Sequence, residues 1–99
     1  MKFLLIRRPR AGAERPTSKM LRAHKEYVLS KVKDKSIDCT YAFLGGGGCS
    51  IVNADSAEQL NQQIFASPLA FFYEYEIRAL SDYASFMEGV ARAAESQGR

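Results

Sequence analysis

The sequence predicts a single α+β domain over residues 1–99, in which the elements follow the order β-α-β-β-α-β and a third helix ends the chain. Three observations predict it: four segments rich in aliphatic, β-branched and aromatic residues, helical periodicity in the segments between them, and capping residues, glycines or prolines at the boundaries. This order is the ferredoxin-like, split-βαβ arrangement, in which two helices cover one face of a four-stranded antiparallel sheet. A length of 99 residues suits one domain with one core.

Each predicted strand is a run of apolar, β-branched or aromatic residues. The run at 2–8, KFLLIRR, is continuously apolar before its basic end, which is typical of a strand that is buried on both faces. The segments 37–44 and 49–54 flank four consecutive glycines, Gly45–Gly48, and indicate an antiparallel hairpin. The aromatic run at 70–78, AFFYEYEIR, is predicted to form the fourth strand.

The helices are predicted from their caps and from residues that repeat at helical spacing. Thr17 or Ser18 offers a cap, and Leu21, Val28 and Val32 then fall on one line of the first helix. A Ser-x-x-Gln capping box begins the second helix, and the last helix carries an apolar stripe. The predicted helices run from about 18 to 33, from the Ser56 cap to 66, and from a Ser81 or Asp82 cap to 96.

One face of this sheet has no helix to cover it. That face would be apolar in the first strand and partly polar in the fourth, and such a surface is unfavourable in water. Pairing with the same face of a second copy is the simplest way to bury it. We therefore predict a homodimer whose sheets pack together and whose helices lie outside.

Composition argues against several classes of partner. The net charge is +3, but the basic residues are divided between 7–10 and the first helix, without the dense stripe and exposed stacking aromatics typical of nucleic-acid binding. No apolar run reaches the length of a membrane span. One histidine and two cysteines supply neither a disulfide framework nor a convincing set of metal ligands. We therefore predict a cytoplasmic protein with no metal and no membrane or nucleic-acid partner.

The second half of the chain carries a family resemblance. From Cys49 to Ile77 it reads CSIVNADSAEQLNQQIFASPLAFFYEYEI, with Ser-x-Glu-x-Leu at a helix start, a Pro-Leu pair and two acids in an aromatic strand. This segment resembles muconolactone isomerase and its relatives without a gap. The resemblance implies a dimeric α+β barrel, as a homodimer or a larger ring of dimers, that uses no cofactor and moves a proton to shift a double bond in an unsaturated lactone. The wider superfamily includes cofactor-free monooxygenases and polyketide cyclases.

A proton shift of this kind needs a base beside a carbonyl and a donor that stabilises the enolate. His24 is the only histidine, and imidazole is the side chain whose ordinary pKa lies nearest neutrality. Its helical angle directs it towards the sheet, on the side of Met20 and Tyr27. It is either the base or orienting group of a pocket, or a partly buried histidine bonded to a backbone carbonyl.

Side chains alternate along the predicted fourth strand. Phe71, Tyr73 and Tyr75 share the face under the helices, across from His24, whereas Glu74 shares the face that meets the partner. Core packing for the aromatic residues and an interface ion pair for the glutamate are the alternatives. The candidate catalytic residues are His24, Glu74, Tyr73 and Tyr41, with the tyrosines as donors. The candidate substrate contacts are Arg7, Tyr27, Phe71 and Tyr75.

These observations predict a cofactor-free isomerase or cyclase that acts on an unsaturated lactone or a polyketone-type small molecule. Two other functions stay open on the sequence: a cofactor-free monooxygenase acting on phenolic or polyketide substrates, and a non-catalytic protein for ligand binding or assembly. A polar, open pocket would argue against the non-catalytic function. A cleft plugged by Met20, Tyr27 and Phe71 would favour it.

Overall fold

The structure, a computed structural model, describes residues 1–99 and has the predicted order of elements. The side chains of Thr17, Ser56 and Asp82 each accept a backbone N–H at the start of a helix, which confirms the capping signals. The strands are β1 (Lys2–Pro9), β2 (Ile37–Ala42), β3 (Gly48–Asn53) and β4 (Tyr73–Leu80), and the helices are α1 (Ser18–Lys33), α2 (Ala57–Phe65) and α3 (Tyr83–Ser96).

The prediction that the fourth strand begins at residue 70 is wrong. Residues Ala70–Phe72 form one turn of 3₁₀ helix, and β4 begins at Tyr73. Within this turn the N–H of Ala70 bonds to the carbonyl of Ser67, and the N–H of Phe72 bonds to the carbonyl of Leu69. These backbone groups are therefore satisfied locally instead of by pairing with β1.

The sheet is antiparallel, in the order β2-β3-β1-β4. β1 is central and pairs with β3 on one side and β4 on the other. Its side chains alternate between faces, and Phe3, Leu5 and Arg7 point to the face that α1 and α2 cover. The β1 residues on the opposite, open face are Leu4, Ile6 and Arg8.

The hydrophobic core lies between the covered face and the two helices. α2 contributes the buried Leu60 and Ile64, whereas α1 contributes only the half-buried Val28 and Val32. No residue of α1 is fully buried, and a cavity lies between this helix and the sheet. The core residues are Phe3, Leu5, Ile37, Val52, Ala54, Leu60 and Ile64.

The inward face of α1 differs in part from the predicted one. Val28 and Val32 pack against the core as predicted, but Leu21 is 46% exposed. His24 and Tyr27 are half-buried instead, because the helix is turned so that these two side chains face the sheet. This orientation brings the single histidine over the sheet.

The β2–β3 turn differs from the prediction by one or two positions. β2 ends two residues early, and the turn is closed by a 2.9 Å bond from the N–H of Phe43 to the carbonyl of Gly47. The three glycines of the turn all have positive φ, a conformation that a side chain with a Cβ disfavours. Cys49 pairs with Tyr41 in the β2–β3 ladder, and both cysteines are free thiols.

The C-terminal helix α3 projects from the rest of the molecule. The chain measures 59 × 30 × 24 Å and has a radius of gyration of 17.0 Å, whereas a compact domain of this length has about 13 Å. No residue of α3 is buried, and the helix makes only marginal contact with the other elements. None of the three helices has the length and hydropathy needed to cross a bilayer.

Candidate active site

A cleft lies between α1 and the covered face of the sheet. Its inner part is a cavity of about 50 Å³, and its outer part is an open depression of about 250 Å³. Arg7, His24 and Val28 line both parts, so the two form one site with these side chains at the junction. The inner part holds little more than water, and the outer part has room for a small organic molecule.

α1 presents His24 at this junction. Its Nδ1 atom lies 2.7 Å from the hydroxyl oxygen of Ser67, in the segment that follows α2. The same oxygen accepts the backbone N–H of Leu69 at 3.2 Å, which fixes its position. The ring centroids of His24 and Tyr73 are 6.3 Å apart. Nδ1 is therefore held by the protein, and Nε2 is the nitrogen left for a substrate.

The surroundings of His24 favour the neutral imidazole. Burial lowers its pKa below the usual 6.5, and the positive charge of Arg7 lowers the pKa further. No aspartate or glutamate lines either part of the cleft, so no carboxylate stabilises an imidazolium there. The ring is unprotonated at neutral pH and is able to accept a proton.

Arg7 brings an unpaired positive charge to the site. Its Nη1 atom donates to the buried hydroxyl of Ser50 over 3.4 Å, and that hydroxyl donates to Thr40 over 2.8 Å. Arg7 forms no ion pair, although its neighbour Arg8, on the open face, lies 3.6 Å from Glu76. A guanidinium in this setting is suited to bind a carboxylate or to stabilise a developing oxyanion.

Two lysines add to the positive potential of the cleft. Lys25 lines the outer part and Lys31 the inner part. The ammonium group of Lys31 lies 5.7 Å from the centroid of the Tyr27 ring and 3.7 Å from a carboxylate oxygen of Asp34. Together with Arg7, these side chains make a cleft that attracts anions.

Tyr27 and Tyr75 line the inner cavity with hydroxyls that are already bonded. The hydroxyl of Tyr27 donates to the carbonyl of Gln63 over 2.6 Å, and that of Tyr75 donates to the carbonyl of Ala70 over 2.9 Å. Burial raises the pKa of both tyrosines. Their rings therefore act as walls of the site, and their protons are committed to the backbone.

Tyr41 and Tyr73 keep free hydroxyls. Tyr41 lines the outer cleft and is 68% exposed. Tyr73 lines neither part of the cleft, but its ring lies beside that of His24. Unlike the hydroxyls of Tyr27 and Tyr75, those of Tyr41 and Tyr73 form no hydrogen bond within the chain. Tyr41 and Tyr73 therefore remain able to donate to a bound molecule.

The structure does not bring Glu74 or Phe71 to the cleft. Glu74 is exposed and lies opposite Arg8 in the β1–β4 ladder, on the open face and away from His24. Phe71 is 71% exposed and its ring stacks on that of Phe65, with centroids 5.7 Å apart. The 3₁₀ turn before β4 takes Phe71 out of the strand alternation from which its position was predicted.

Sequence reasoning missed several polar residues of the site. A signal existed for Ser50, because a polar residue between Gly48 and Val52 occupies an inward position of β3. Ser67 has no such signal, since its contact with His24 depends on how α1 and the end of α2 pack together. The missed residues are Thr40, Ser50, Gln63, Ser67 and the two lysines, Lys25 and Lys31.

The antiparallel four-stranded sheet, with two helices on one face and an open opposite face, defines the class of the ferredoxin-like α+β fold. The solved structure of muconolactone isomerase is similar, with a TM-score of 0.70 and 16% sequence identity. The match covers 84% of this chain and 91% of the isomerase chain. A second similar structure is that of 5-chloro-2-hydroxyhydroquinone dehydrochlorinase from Burkholderia phenoliruptrix in complex with 2,5-dihydroxybenzoquinone. Its TM-score is 0.61 at 17% sequence identity, and the match covers 86% of this chain and 98% of the dehydrochlorinase chain.

The resemblance predicted from Cys49–Ile77 is thus confirmed as a likeness of fold. No protein-family model and no curated protein sequence matches the chain. The similar structures establish the fold of the chain, whereas its chemistry must be inferred from the side chains of the cleft.

Proposed function

We propose that this protein is a cofactor-free isomerase or cyclase that moves a proton within a small unsaturated lactone or polyketone-type substrate. The observation that carries the proposal is a neutral, half-buried His24 beside an unpaired Arg7, in a cleft without carboxylates. The two similar structures are those of an isomerase and a dehydrochlorinase, which agrees with an enzyme of this fold.

His24 is the proton carrier in this reaction. Its neutral Nε2 removes a proton from the carbon next to the substrate carbonyl, and the electron pair of the broken C–H bond forms an enolate. Arg7 stabilises the enolate oxygen. The imidazolium returns the proton to the far carbon of the conjugated system, so the double bond shifts and His24 is neutral again. In a cyclisation, the enolate carbon instead attacks a second carbonyl of the same substrate, the C=O π bond opens to an alkoxide, and the imidazolium protonates that alkoxide, so His24 is again neutral.

Other side chains of the cleft orient the reacting groups. Ser67 is a positioning residue, because its bond to Nδ1 directs Nε2 towards the cleft. The free hydroxyl of Tyr41, in the outer cleft, donates to a substrate oxygen, and that of Tyr73 does so from beside the His24 ring. The rings of Tyr27 and Tyr75 pack against the apolar part of the substrate.

We also propose that two copies pair through their open sheet faces. The half-buried Leu4 and Ile6 of β1 and Ile51 of β3 form an apolar centre on that face, which water disfavours. Arg8 and Glu74 lie near this apolar centre, close to one end of the β1–β4 ladder, where they are positioned for ion pairs between copies. A homodimer, or a ring of such dimers, is the resulting assembly.

Solvent-deuterium exchange tests the proton transfer directly. The protein is incubated in D₂O with a panel of unsaturated lactones and 1,3-diketones, and deuterium at the carbon next to the carbonyl is followed by NMR. We expect the wild type to promote exchange and His24→Ala to lose about 10²–10⁴-fold of the rate. Arg7→Gln should lose about 10²–10³-fold. The matched control is Arg8→Gln, which alters the next residue on the open face and should retain the rate.

Two results would contradict the proposal. If His24→Ala and Arg7→Gln both exchange at the wild-type rate, the cleft does not carry the reaction. If Glu74→Gln abolishes exchange while His24→Ala does not, the base lies on the open face and not beneath α1.

A second candidate is a cofactor-free monooxygenase that acts on a phenolic or polyketide substrate. A positively charged cleft suits a phenolate, and the similar dehydrochlorinase was solved with 2,5-dihydroxybenzoquinone bound. Such an enzyme consumes oxygen together with its substrate, whereas an isomerase or cyclase of the kind proposed does not. Oxygen uptake with a panel of phenols and hydroquinones therefore separates the two.

The walls of the cleft argue against the non-catalytic alternative. Of the three residues that would plug a closed cleft, Met20 and Phe71 line neither part of it, and Tyr27 lines the inner part only. The outer part is open and includes Arg7, His24 and Lys25. A surface used only for assembly has no need of the unpaired guanidinium of Arg7.

A further inference from the structure

A row of three polar side chains crosses the covered face of the sheet beneath the cleft. Arg7 of β1, Ser50 of β3 and Thr40 of β2 belong to three adjacent strands, and Ser50 pairs directly with Thr40. The guanidinium lies 3.4 Å from the Ser50 hydroxyl, which lies 2.8 Å from that of Thr40. Ser50 lines the inner part of the cleft and Thr40 the outer part, so the row leads from one part to the other.

The cation at one end fixes the direction of the hydrogen bonds in this row. A guanidinium has N–H donors and no acceptor, so the Ser50 oxygen must accept from Arg7. Ser50 is only 3% exposed, and its own hydrogen is donated to the oxygen of Thr40. Thr40 is thus an acceptor within the row, and its own hydroxyl hydrogen has no acceptor in the chain.

This remaining hydrogen belongs to a group at the outer part of the cleft. Thr40 is half-buried and lines that part together with Arg7 and His24. The guanidinium of Arg7 lies close against β3, because Gly48 has no Cβ to displace its Nη2 atom. Successive hydrogen bonds polarise one another, so a hydroxyl at the end of a row that starts at a cation is a strengthened donor.

We propose that Thr40 is a second donor to the oxygen that Arg7 stabilises. Both groups then offer only hydrogens to a ligand, and the site selects oxygens that only accept, such as those of enolates and phenolates, over hydroxyl groups. This inference rests on the proposed function, because it gives Thr40 a part in the same reaction. As the electron pair of the broken C–H bond moves into the enolate, the Thr40 hydroxyl donates to the charged oxygen and keeps its own proton.

The choice of variants follows from the shape of the side chain. Valine has nearly the shape of threonine without the hydroxyl and suits a strand, so Thr40→Val removes the donor and retains the packing. Thr40→Ser keeps the hydroxyl and loses only a methyl group. The matched control is Cys39→Val, which makes a similar change at the neighbouring residue of β2, on the opposite face of the sheet.

Titration of the full-length protein with 4-nitrophenol tests the direction of the Thr40 donor. This phenol ionises near neutral pH and its phenolate has its own visible absorption, so the affinities of the two forms are measured separately. We expect the wild type to prefer the phenolate and to lower the pKa of the bound probe. Thr40→Val should weaken phenolate binding about tenfold, as expected for the loss of one hydrogen bond to a charged group, and change phenol binding by less than about twofold. Thr40→Ser and Cys39→Val should both bind like the wild type.

Three results would overturn the proposal. The first is equal phenolate affinity in Thr40→Val and the wild type. The second is a loss confined to the neutral phenol, which would mean that Thr40 accepts a hydrogen bond from the ligand instead of donating one. The third is a wild type that does not prefer the phenolate.

The deuterium-exchange assay separates this proposal from the proposed reaction. Thr40→Val should lower kcat of the exchange by about 10–10²-fold, and Thr40→Ser should retain it. A wild type without exchange activity, whose preference for the phenolate still depends on Thr40, would refute the reaction and support the donor. Exchange that His24→Ala abolishes and Thr40→Val leaves unchanged would refute the role of Thr40 alone.

Discussion

Replacing Gly48 with alanine should damage the sheet and the cleft together. Gly48 is buried in β3, opposite Arg7 of β1 and Ala42 of β2. A Cβ at this position would overlap the backbone carbonyl oxygen of Tyr41 and would lie 2.9 Å from Nη2 of Arg7. The first of these atoms belongs to the β2–β3 ladder, so the strands must shift to admit the methyl group. The second belongs to the guanidinium of the candidate active site.

The size of the effect follows from the kind of overlap. Overpacking that forces backbone shifts costs about 1–3 kcal/mol, and Gly48→Ala should fall near the upper end because the closest atom is main-chain. In a domain of this length each kcal/mol lowers the melting temperature by about 4–8 °C, so we expect a decrease of roughly 10–20 °C. The rate of deuterium exchange should also decrease at temperatures where the variant is fully folded, because Arg7 is displaced.

Calorimetry and the exchange assay measure these two effects on the same preparation. Gly89→Ala is the matched control, because nothing lies within 4 Å of a Cβ at that position of α3. Alanine in a helix is favoured over glycine by about 0.5–1 kcal/mol, so this variant should be slightly more stable and equally active. If Gly48→Ala melts and exchanges like the wild type, the close approach of Arg7 to β3 is wrong.

Three further outcomes are expected. The pKa of His24 is lower in the folded than in the unfolded chain, so the unfolded state binds more protons below pH 6.5. The free energy of unfolding should therefore decrease as the pH falls through this range. In urea titrations, His24→Gln should flatten that part of the pH profile. Leu60→Ala, at a side chain that is 3% exposed, should cost about 2–5 kcal/mol in the same titrations, and equal stability to the wild type would contradict the described core. Ser67→Ala should lower kcat of the proton transfer with little change in KM, whereas Ser67→Thr should restore part of it; a change in KM alone would speak against a positioning role.

The order of elements is predictable because the local signals agree with one another. Caps, glycines and strand-forming runs mark the same boundaries, and these boundaries hold within a few residues. The start of β4 is the exception. Ala70–Phe72 has the composition of a strand, but the fully buried Leu69 and the hydrogen bonds of Ser67 hold the segment in a 3₁₀ turn. This preference is decided by tertiary packing and cannot be detected in composition.

The candidate active site is predictable in part, since Tyr27, Tyr41 and Tyr75, which the sequence also indicates, line the cleft. His24 stands out as the single histidine on an inward helix face, and Arg7 as a charge at the end of a buried strand. The rotation of α1 that favours His24 over Leu21 depends on the packing of both helices on the sheet. The same packing brings Ser67 to the imidazole and leaves Glu74 on the other side of the sheet.

An NMR titration of the His24 imidazole is the most direct check on the proposed proton carrier. Its midpoint should lie below 6.5 in the wild type, should rise in Arg7→Gln because a nearby positive charge is removed, and should stay unchanged in Arg8→Gln. A midpoint at or above 6.5 that does not respond to Arg7→Gln would mean that the ring is solvated and far from the guanidinium, and the reaction proposed for the cleft would lose its base.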